Sequence, residues 1–239
     1  MAIHWQIVLR GCVIGMSLVV AAATGVAAEE EDGFVLLTGA DGREQWLGYG
    51  LDDAQDTWPA NWEIADGVLH AKGGGVDLKS REQYGDFDLR FEWKISPGGN
   101  SGVMYRVSQE TDPAYFTGPE YQVIDDVGNE DAVSPDTSSA SLYALYAPSK
   151  ALAKPAGEWN EARIVVDGNR AEHYLNGEKV TEYELGSDDW NRRVAASKFD
   201  AWQKFGKNRR GHVDLQDHGN EVWYRNVRIK SLDSASQGK

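Results

Sequence analysis

The 239-residue sequence predicts an all-β fold, two antiparallel sheets packed face to face, on three observations. Short stretches alternate apolar and polar residues with a period of two, Asp-Gly and Asn-Gly pairs separate several of them, and no stretch sustains a helical period. Many short strands punctuated by turn residues describe a sandwich and not a bundle.

Taken in order, Trp62-Glu63-Ile64 and Val68-Leu69-His70 flank Ala65-Asp66-Gly67, whose Asp-Gly pair signals a hairpin. Residues 87–95, Phe-Asp-Leu-Arg-Phe-Glu-Trp-Lys-Ile, are apolar on one side and charged on the other. Residues 163–166, the turn Asp167-Gly168 and His173-Tyr174-Leu175 form a second hairpin, and Asn176-Gly177 turns the chain again into Glu178-Lys179-Val180. Residues 222–229 form the last strand. Two segments break the pattern. Residues 128–159 are rich in Ser, Ala, Pro and Asp around Leu142-Tyr143-Ala144-Leu145-Tyr146, and so long a loop in a compact domain points to function or disorder. Residues 188–210 combine Trp190, Phe199, Trp202 and Phe205 with Lys198, Lys204, Lys207, Arg209 and Arg210, the pattern of a short helix followed by basic turns.

Residues 1–28 read as a secretory signal peptide: His4 and Arg10 precede an apolar run over 12–20, and Val26-Ala27-Ala28 fits a cleavage site. The single cysteine, Cys12, lies inside that leader, so the exported chain is expected to hold together without disulfides. Residues 29–239 are then one β-sandwich domain, periplasmic or secreted, with no internal repeat or linker dividing it. With 38 acidic residues against 24 Lys and Arg, the formal charge of −14 argues against nucleic acid and anionic membranes as partners and suits a neutral ligand. Nine tryptophans and ten tyrosines fit a β-rich core and equally a groove in which rings stack on sugars.

Two stretches carry candidate chemistry. In residues 211–219, Gly-His-Val-Asp-Leu-Gln-Asp-His-Gly, strand alternation sends Val213 and Leu215 one way and His212, Asp214, Gln216 and His218 the other. In Gly118-Pro119-Glu120-Tyr121-Gln122-Val123-Ile124-Asp125, Glu120 and Gln122 share one face opposite Tyr121 and Val123. A glycine-rich turn, Gly98-Gly99-Asn100-Ser101-Gly102, leads into Val103-Met104-Tyr105-Arg106-Val107, where Met104 and Arg106 face away from the other three. If the apolar sides share the core, Arg106, Glu120, Gln122, Gln216 and His218 gather on the other face of a bent sheet.

These motifs, with Gly157-Glu158-Trp159-Asn160, Leu175-Asn176-Gly177 and Tyr224-Arg225-Asn226-Val227, occur in an order that resembles the 3-keto-disaccharide hydrolase domain family over roughly residues 33–232. The resemblance implies a concanavalin-like jelly roll with a concave ligand-binding face, acting on glycosides already oxidised to a ketone at C3. That ketone acidifies the C2 hydrogen and places the glycosidic oxygen β to the carbonyl, so cleavage needs a base, a cation or donor for the enolate oxygen, and an acid for the leaving group. On this resemblance Glu120 and His218 are the expected proton-transfer pair, and Arg106 the enolate stabiliser with Lys198 second to it. Gln122, Asp125, Tyr143 and Gln216 are the expected substrate contacts or orienting groups. A divalent metal on Glu120, Asp125 and His218 is an open expectation, as is a calcium on Asp52, Asp53 and Asp56, although no compact ligand spacing is present. Two other classes compete. A non-catalytic carbohydrate-binding module would need the aromatics without the titrating pair. A conventional glycosidase of this fold would need a carboxylate two or four residues from Glu120, where Gln122 and Ile124 stand instead.

Overall fold

The computed structural model describes Met1 and residues 33–111 and 113–233. Apart from Met1, the expected leader lies outside the described residues. The strands are β1 (Val35–Leu36), β2 (Trp46–Gly48), β3 (Trp62–Ala65), β4 (Val68–Ala71), β5 (Leu78–Tyr84), β6 (Phe87–Ile95) and β7 (Asn100–Val107). After them come β8 (Glu120–Ile124), β9 (Asn160–Asp167), β10 (Arg170–Leu175), β11 (Glu178–Glu184), β12 (Gly211–Leu215) and β13 (Val222–Ser231), with one α-helix, α1 (Asp188–Ala195), between β11 and β12. One sheet runs β11-β10-β9-β6-β13-β4-β3, with β1 added on β13, and the other runs β2-β5-β12-β7-β8. Every pairing is antiparallel.

The expected hairpins form, although the turn between β9 and β10 falls on Gly168-Asn169, one residue later than expected, because Asp167 still pairs with Arg170. Asp66 and Gly67 take φ of 51° and 75°, and Asn176 and Gly177 take 49° and 86°, the doubly left-handed geometry whose twist matches antiparallel strands. The core lies between the sheets. Leu69, Leu89, Phe91, Trp93 and Ile164 meet Leu78, Val103, Tyr105, Tyr121, Val123, Val213 and Leu215 there, all at or near zero exposure. His173 sits in the same core, between the hydroxyls of Tyr105 and Tyr183 and the Ala140 carbonyl, and burial pushes its pKa down to about 4. It is a neutral packing residue.

The two irregular segments touch both sheets: residues 128–159 bond to β8, β6 and β11, and α1 packs against β11. Ser187 caps α1 by accepting from the Trp190 N–H at 3.1 Å, and Trp190 stacks on Tyr183 and Phe205. A second Ser cap, Ser197 to Phe199 N–H at 3.2 Å, opens the 3-10 turn Lys198–Ala201. Phe199 is thereby seated in the core, and Lys198 beside it is left at the surface. The loop over 128–159 returns to β8: the Tyr143 N–H donates to the Glu120 carbonyl at 3.1 Å.

Candidate functional site

The open face of the five-stranded sheet carries a cavity of about 220 Å³. Its floor is Glu120 and Gln122 of β8, Asn100 of β7 and Gln216 just after β12, and its walls are Tyr143, Lys198, His218, Tyr115, Phe199 and Trp202. Such a volume is below that of clefts that enclose drug-sized ligands, so it admits one small ring with the remainder lying outside. A larger hollow of about 570 Å³ lies on the other sheet, among Arg90, Glu92, Arg163 and Arg228. There Arg90 and Arg163 both pair with Asp88, and Arg225 pairs with Glu92, so the charges satisfy one another. Buried polar groups converge on the smaller cavity, which makes it the candidate site.

Register explains why those groups meet. Glu120 lies opposite Met104, Met104 opposite Asp214, and Asp214 opposite Lys79, so a single row crosses β8, β7, β12 and β5. Gly102 stands opposite Gln122, and the Glu120 side chain lies over it so closely that a Cβ there would overlap Oε1. With its amide nitrogen turned to the carboxylate, Gln122 donates to Oε1 of Glu120 at 3.2 Å and to the Ser101 carbonyl at 3.0 Å. The Gln216 N–H donates to the Gly102 carbonyl at 2.9 Å. His218 follows Asp217, whose carboxylate accepts from the N–H groups of Gly74, Gly75 and Gly219 and from the Asn61 amide. Asp217 is therefore a structural clamp that holds Gln216 and His218 at the cavity.

Glu120 is 8 % exposed. Burial pushes its pKa up to about 8, the negative charge of Asp77 adds to the rise, and the Lys198 ammonium opposes it. Lys198 in turn sits over the Tyr143 ring, its Nζ 4.4 Å from the centroid. The cavity thus holds a strongly basic carboxylate, an imidazole and an ammonium within one wall of aromatics.

The structure brings together Glu120, Gln122, Tyr143, Lys198, Gln216 and His218 and leaves out two of the expected residues. Arg106 is a correction. Between Met104–Asp214 and Val107–His212 the register shifts, with Tyr105 and Arg106 both facing Val213, and Arg106 takes φ of 53°. This β-bulge breaks the alternation, turning Arg106 to the end of the sandwich. There it is 3 % exposed and donates to the Gly85 carbonyl at 2.9 Å, to Asp86 at 2.9 Å and to the Gly168 carbonyl at 3.0 Å. It is a staple between two turns. Asp125 is the second correction. Its carboxylate accepts from the N–H groups of Gly98 at 2.8 Å and Val127 at 3.1 Å, and it faces the loop hollow with Val127 and Gly128. Burial tends to raise its pKa, but those N–H groups outweigh burial and hold the carboxyl below its usual range.

His212 is also absent from the cavity: its ring bonds the Ser80 carbonyl at 2.7 Å and the Gln83 amide at 3.0 Å. With Asp125 turned away, the expected metal donors do not form a set, and among the described residues no group of three or more His, Cys, Asp or Glu is arranged to hold a metal. Asp53 and Asp56 are engaged by Lys79 and Arg81, and Asp52 caps Ala54, so a calcium site is not assembled there. Asn100, Tyr115, Phe199 and Trp202 were not singled out as site residues from sequence, although Phe199 and Trp202 stand in the aromatic and basic segment that was flagged.

Comparison with known proteins adds the lineage. Residues 33–230 match the family model described as a 3-keto-alpha-glucoside-1,2-lyase-like domain. A curated 3-keto-disaccharide hydrolase of Bacteroides thetaiotaomicron is 36 % identical over 236 residues, covering 85 % of this chain and 80 % of its own length. A crystal structure from Parabacteroides distasonis, described provisionally as a glycosyl hydrolase, superposes with a TM-score of 0.76 at 32 % identity, over 84 % of this chain and 94 % of that one. A carbohydrate-binding module of Bacillus subtilis, at 13 % identity, a TM-score of 0.50 and coverage of 78 % and 96 %, shares the fold alone.

Proposed function

The chain belongs to the 3-keto-alpha-glucoside-1,2-lyase-like family and is a hydrolase, and on that premise we propose that it cleaves glycosides already oxidised to a ketone at C3. The observation that carries the reading is the buried Glu120 carboxyl, its pKa pushed up to about 8, in a cavity shared with His218 and Lys198. A carboxylate of ordinary basicity is a poor match for a carbon acid, whereas one raised toward neutrality and above is a stronger base.

In this mechanism Glu120 takes the C2 proton, and the C–H electron pair becomes the enolate of the C3 ketone. Lys198 stands in for Arg106 as the cation that stabilises the enolate oxygen. As the C3 carbonyl reforms, a C1–C2 double bond forms and the C1–O bond breaks. His218 gives the departing aglycone oxygen its proton. Water then adds to C1 and gives up a proton to His218, and C2 regains a proton from Glu120, so both groups end as they began and the net change is hydrolysis. Gln122, Gln216 and Tyr143 orient the sugar hydroxyls. Trp202 and Tyr115, in ring contact with each other, supply an apolar part of the lining for the aglycone. The two-carboxylate arrangement of ordinary glycosidases has no counterpart, because Gln122 holds the place of the second acid.

The test compares a plain glucoside with its 3-keto derivative, each with and without EDTA. Cleavage of the keto substrate alone supports the reading, and loss of that cleavage in EDTA would add a metal to it. If neither is cleaved while either sugar raises the melting temperature, the domain is a binding module and the proposal fails.

A further inference from the structure

The row across the sheet contains a residue for which the mechanism gives no role. Asp214 lies at the centre of the five-stranded sheet, 0 % exposed, between Lys79 on one side and Met104 on the other. Neither of its carboxyl oxygens meets an N–H or hydroxyl donor among the described residues. The ammonium that register places beside it, Lys79 Nζ, is directed to Asp53 at 2.6 Å. Asp77 directly precedes β5, two residues before the Lys79 that pairs with Asp214 and so on the same side of the strand; its carboxyl is within hydrogen-bonding reach of Asp214, and its Oδ1 accepts from the Asp217 N–H at 2.7 Å, on the loop that carries His218.

An isolated carboxylate in such a place would lack several kcal/mol of solvation, and natural sites answer by taking up a proton. Two carboxyls that face each other answer by sharing one. We propose that Asp214 carries a proton held in common with Asp77, and that the one negative charge left on the pair sets Glu120 as a base. Asp77 and Asp214 are positioning residues in this scheme, since neither is among the side chains that line the cavity. The charged groups around the pair are Lys79, Asp53 and Glu120, and those around Glu120 are Lys198, His218, Tyr143 and Asp77. The direction agrees with geometry: burial first, then the charge of Asp77, raise Asp214 well above its ordinary value, and Asp77 raises Glu120.

The effect on Glu120 rests on the catalytic reading above, but the shared proton does not, and two measurements separate them. Infrared spectra of the full chain at pH 7, with aspartate labelled by carbon-13 at the side-chain carboxyl, should contain a protonated-carboxyl C=O band that shifts with the label and disappears in Asp214→Asn. A band that persists unchanged in that variant overturns the proposal. The pH profile of kcat/KM on the 3-keto substrate gives the second readout. In Asp77→Asn its Glu120 limb should move toward acid by about one pH unit. A rate lowered in parallel at every pH, with the limb unmoved, would mean a purely structural role and overturn it. Should Asp214→Asn fail to fold, Asp77→Asn decides by the same limb and by a displaced C=O band, because its proton acceptor becomes an amide oxygen. If the wild type cleaves no keto substrate yet the band behaves as expected, the reaction assignment fails and the proton pair stands.

Discussion

Glu120→Gln tests the raised basicity of the carboxylate without any substrate. The folded chain holds this carboxyl at about 8, against an ordinary value of 4.5. Between those two pH values the folded state keeps a proton that the unfolded chain has released, so stability must fall as pH rises through the window. Each unit is worth about 1.4 kcal/mol, which makes the full loss about 4–5 kcal/mol. A domain of this size moves by about 2–4 °C per kcal/mol, so the wild type should lose roughly 10 °C or more between pH 5 and pH 9 from this group alone. Gln keeps the shape and does not titrate. The assay is a pair of melting curves for wild type and Glu120→Gln at each pH. Every other ionisable group is common to both, so the difference between them reports Glu120 together with its coupling to Asp77, Asp214 and Lys198. The variant should be no more stable than the wild type near pH 5, and the more stable of the two at pH 9. Parallel curves across that range would refute the buried, strongly basic carboxylate, and with it the choice of Glu120 as the base.

If Glu120 must be ionised to abstract the proton, kcat/KM on a keto substrate should climb through about pH 8, and a profile already flat there would assign the base elsewhere. In heavy water the wild type should exchange the C2 hydrogen of a 3-keto sugar, read by NMR, and Glu120→Gln should not. Lys198→Met should lower kcat by about a hundredfold or more, as removal of an oxyanion donor does, with little change in melting temperature. Gly102→Ala would force Oε1 of Glu120 from its place, and misplacement on that scale costs about a hundredfold in kcat/KM; a variant with full activity would remove the close approach from the argument. Arg106→Met should cost about 2 kcal/mol by removing the hydrogen bonds of a buried guanidinium to Asp86 and to the Gly85 and Gly168 carbonyls. Its specific activity per folded molecule should be retained, and loss of turnover with a normal melting curve would return Arg106 to the site.

Alternation carried the sequence reading as far as the strands stayed regular. Glu120 and Gln122 were placed correctly because Tyr121 and Val123 beside them are unambiguous core residues. Arg106 was misplaced because one extra residue in β7 swaps the faces, and a bulge in a strand of allowed residue types leaves no mark in composition. Asp125 was misplaced for another reason: it lies just past β8, where a carboxylate is as useful for capping a turn as for binding sugar. The neighbours of each site residue on adjacent strands were beyond reach, since alternation assigns a face and says nothing of which strands pair. Asp214 shows the cost of that gap. Its alternation with Val213 and Leu215 put it on the correct face, but only the structure reveals that it is fully buried in the row Glu120–Met104–Asp214–Lys79 and meets no donor among the described residues.

That row also suggests how an acidic, heavily solvated protein makes one carboxylate strongly basic. Beside the cavity, Tyr49, Met104, Val107 and Ala114 form a second apolar cluster, with Tyr115 packed against it, on the open face of the sheet. Met104 stands between Glu120 and Asp214 in register and is fully buried. The cluster covers the floor from the side where water would otherwise reach the carboxyls, and the bulge at Arg106 is what turns Val107 onto this face to complete it. The irregularity that defeated alternation at Arg106 thus contributes to dehydrating Glu120. Replacing Met104 with Gln, which is similar in length but polar, should let hydrogen bonding and water reach the row. Both effects stabilise the ionised form, so the rise of wild-type instability with pH should weaken in Met104→Gln even though no charge has been changed. A slope identical to wild type would place the origin of the basicity in the neighbouring charges alone.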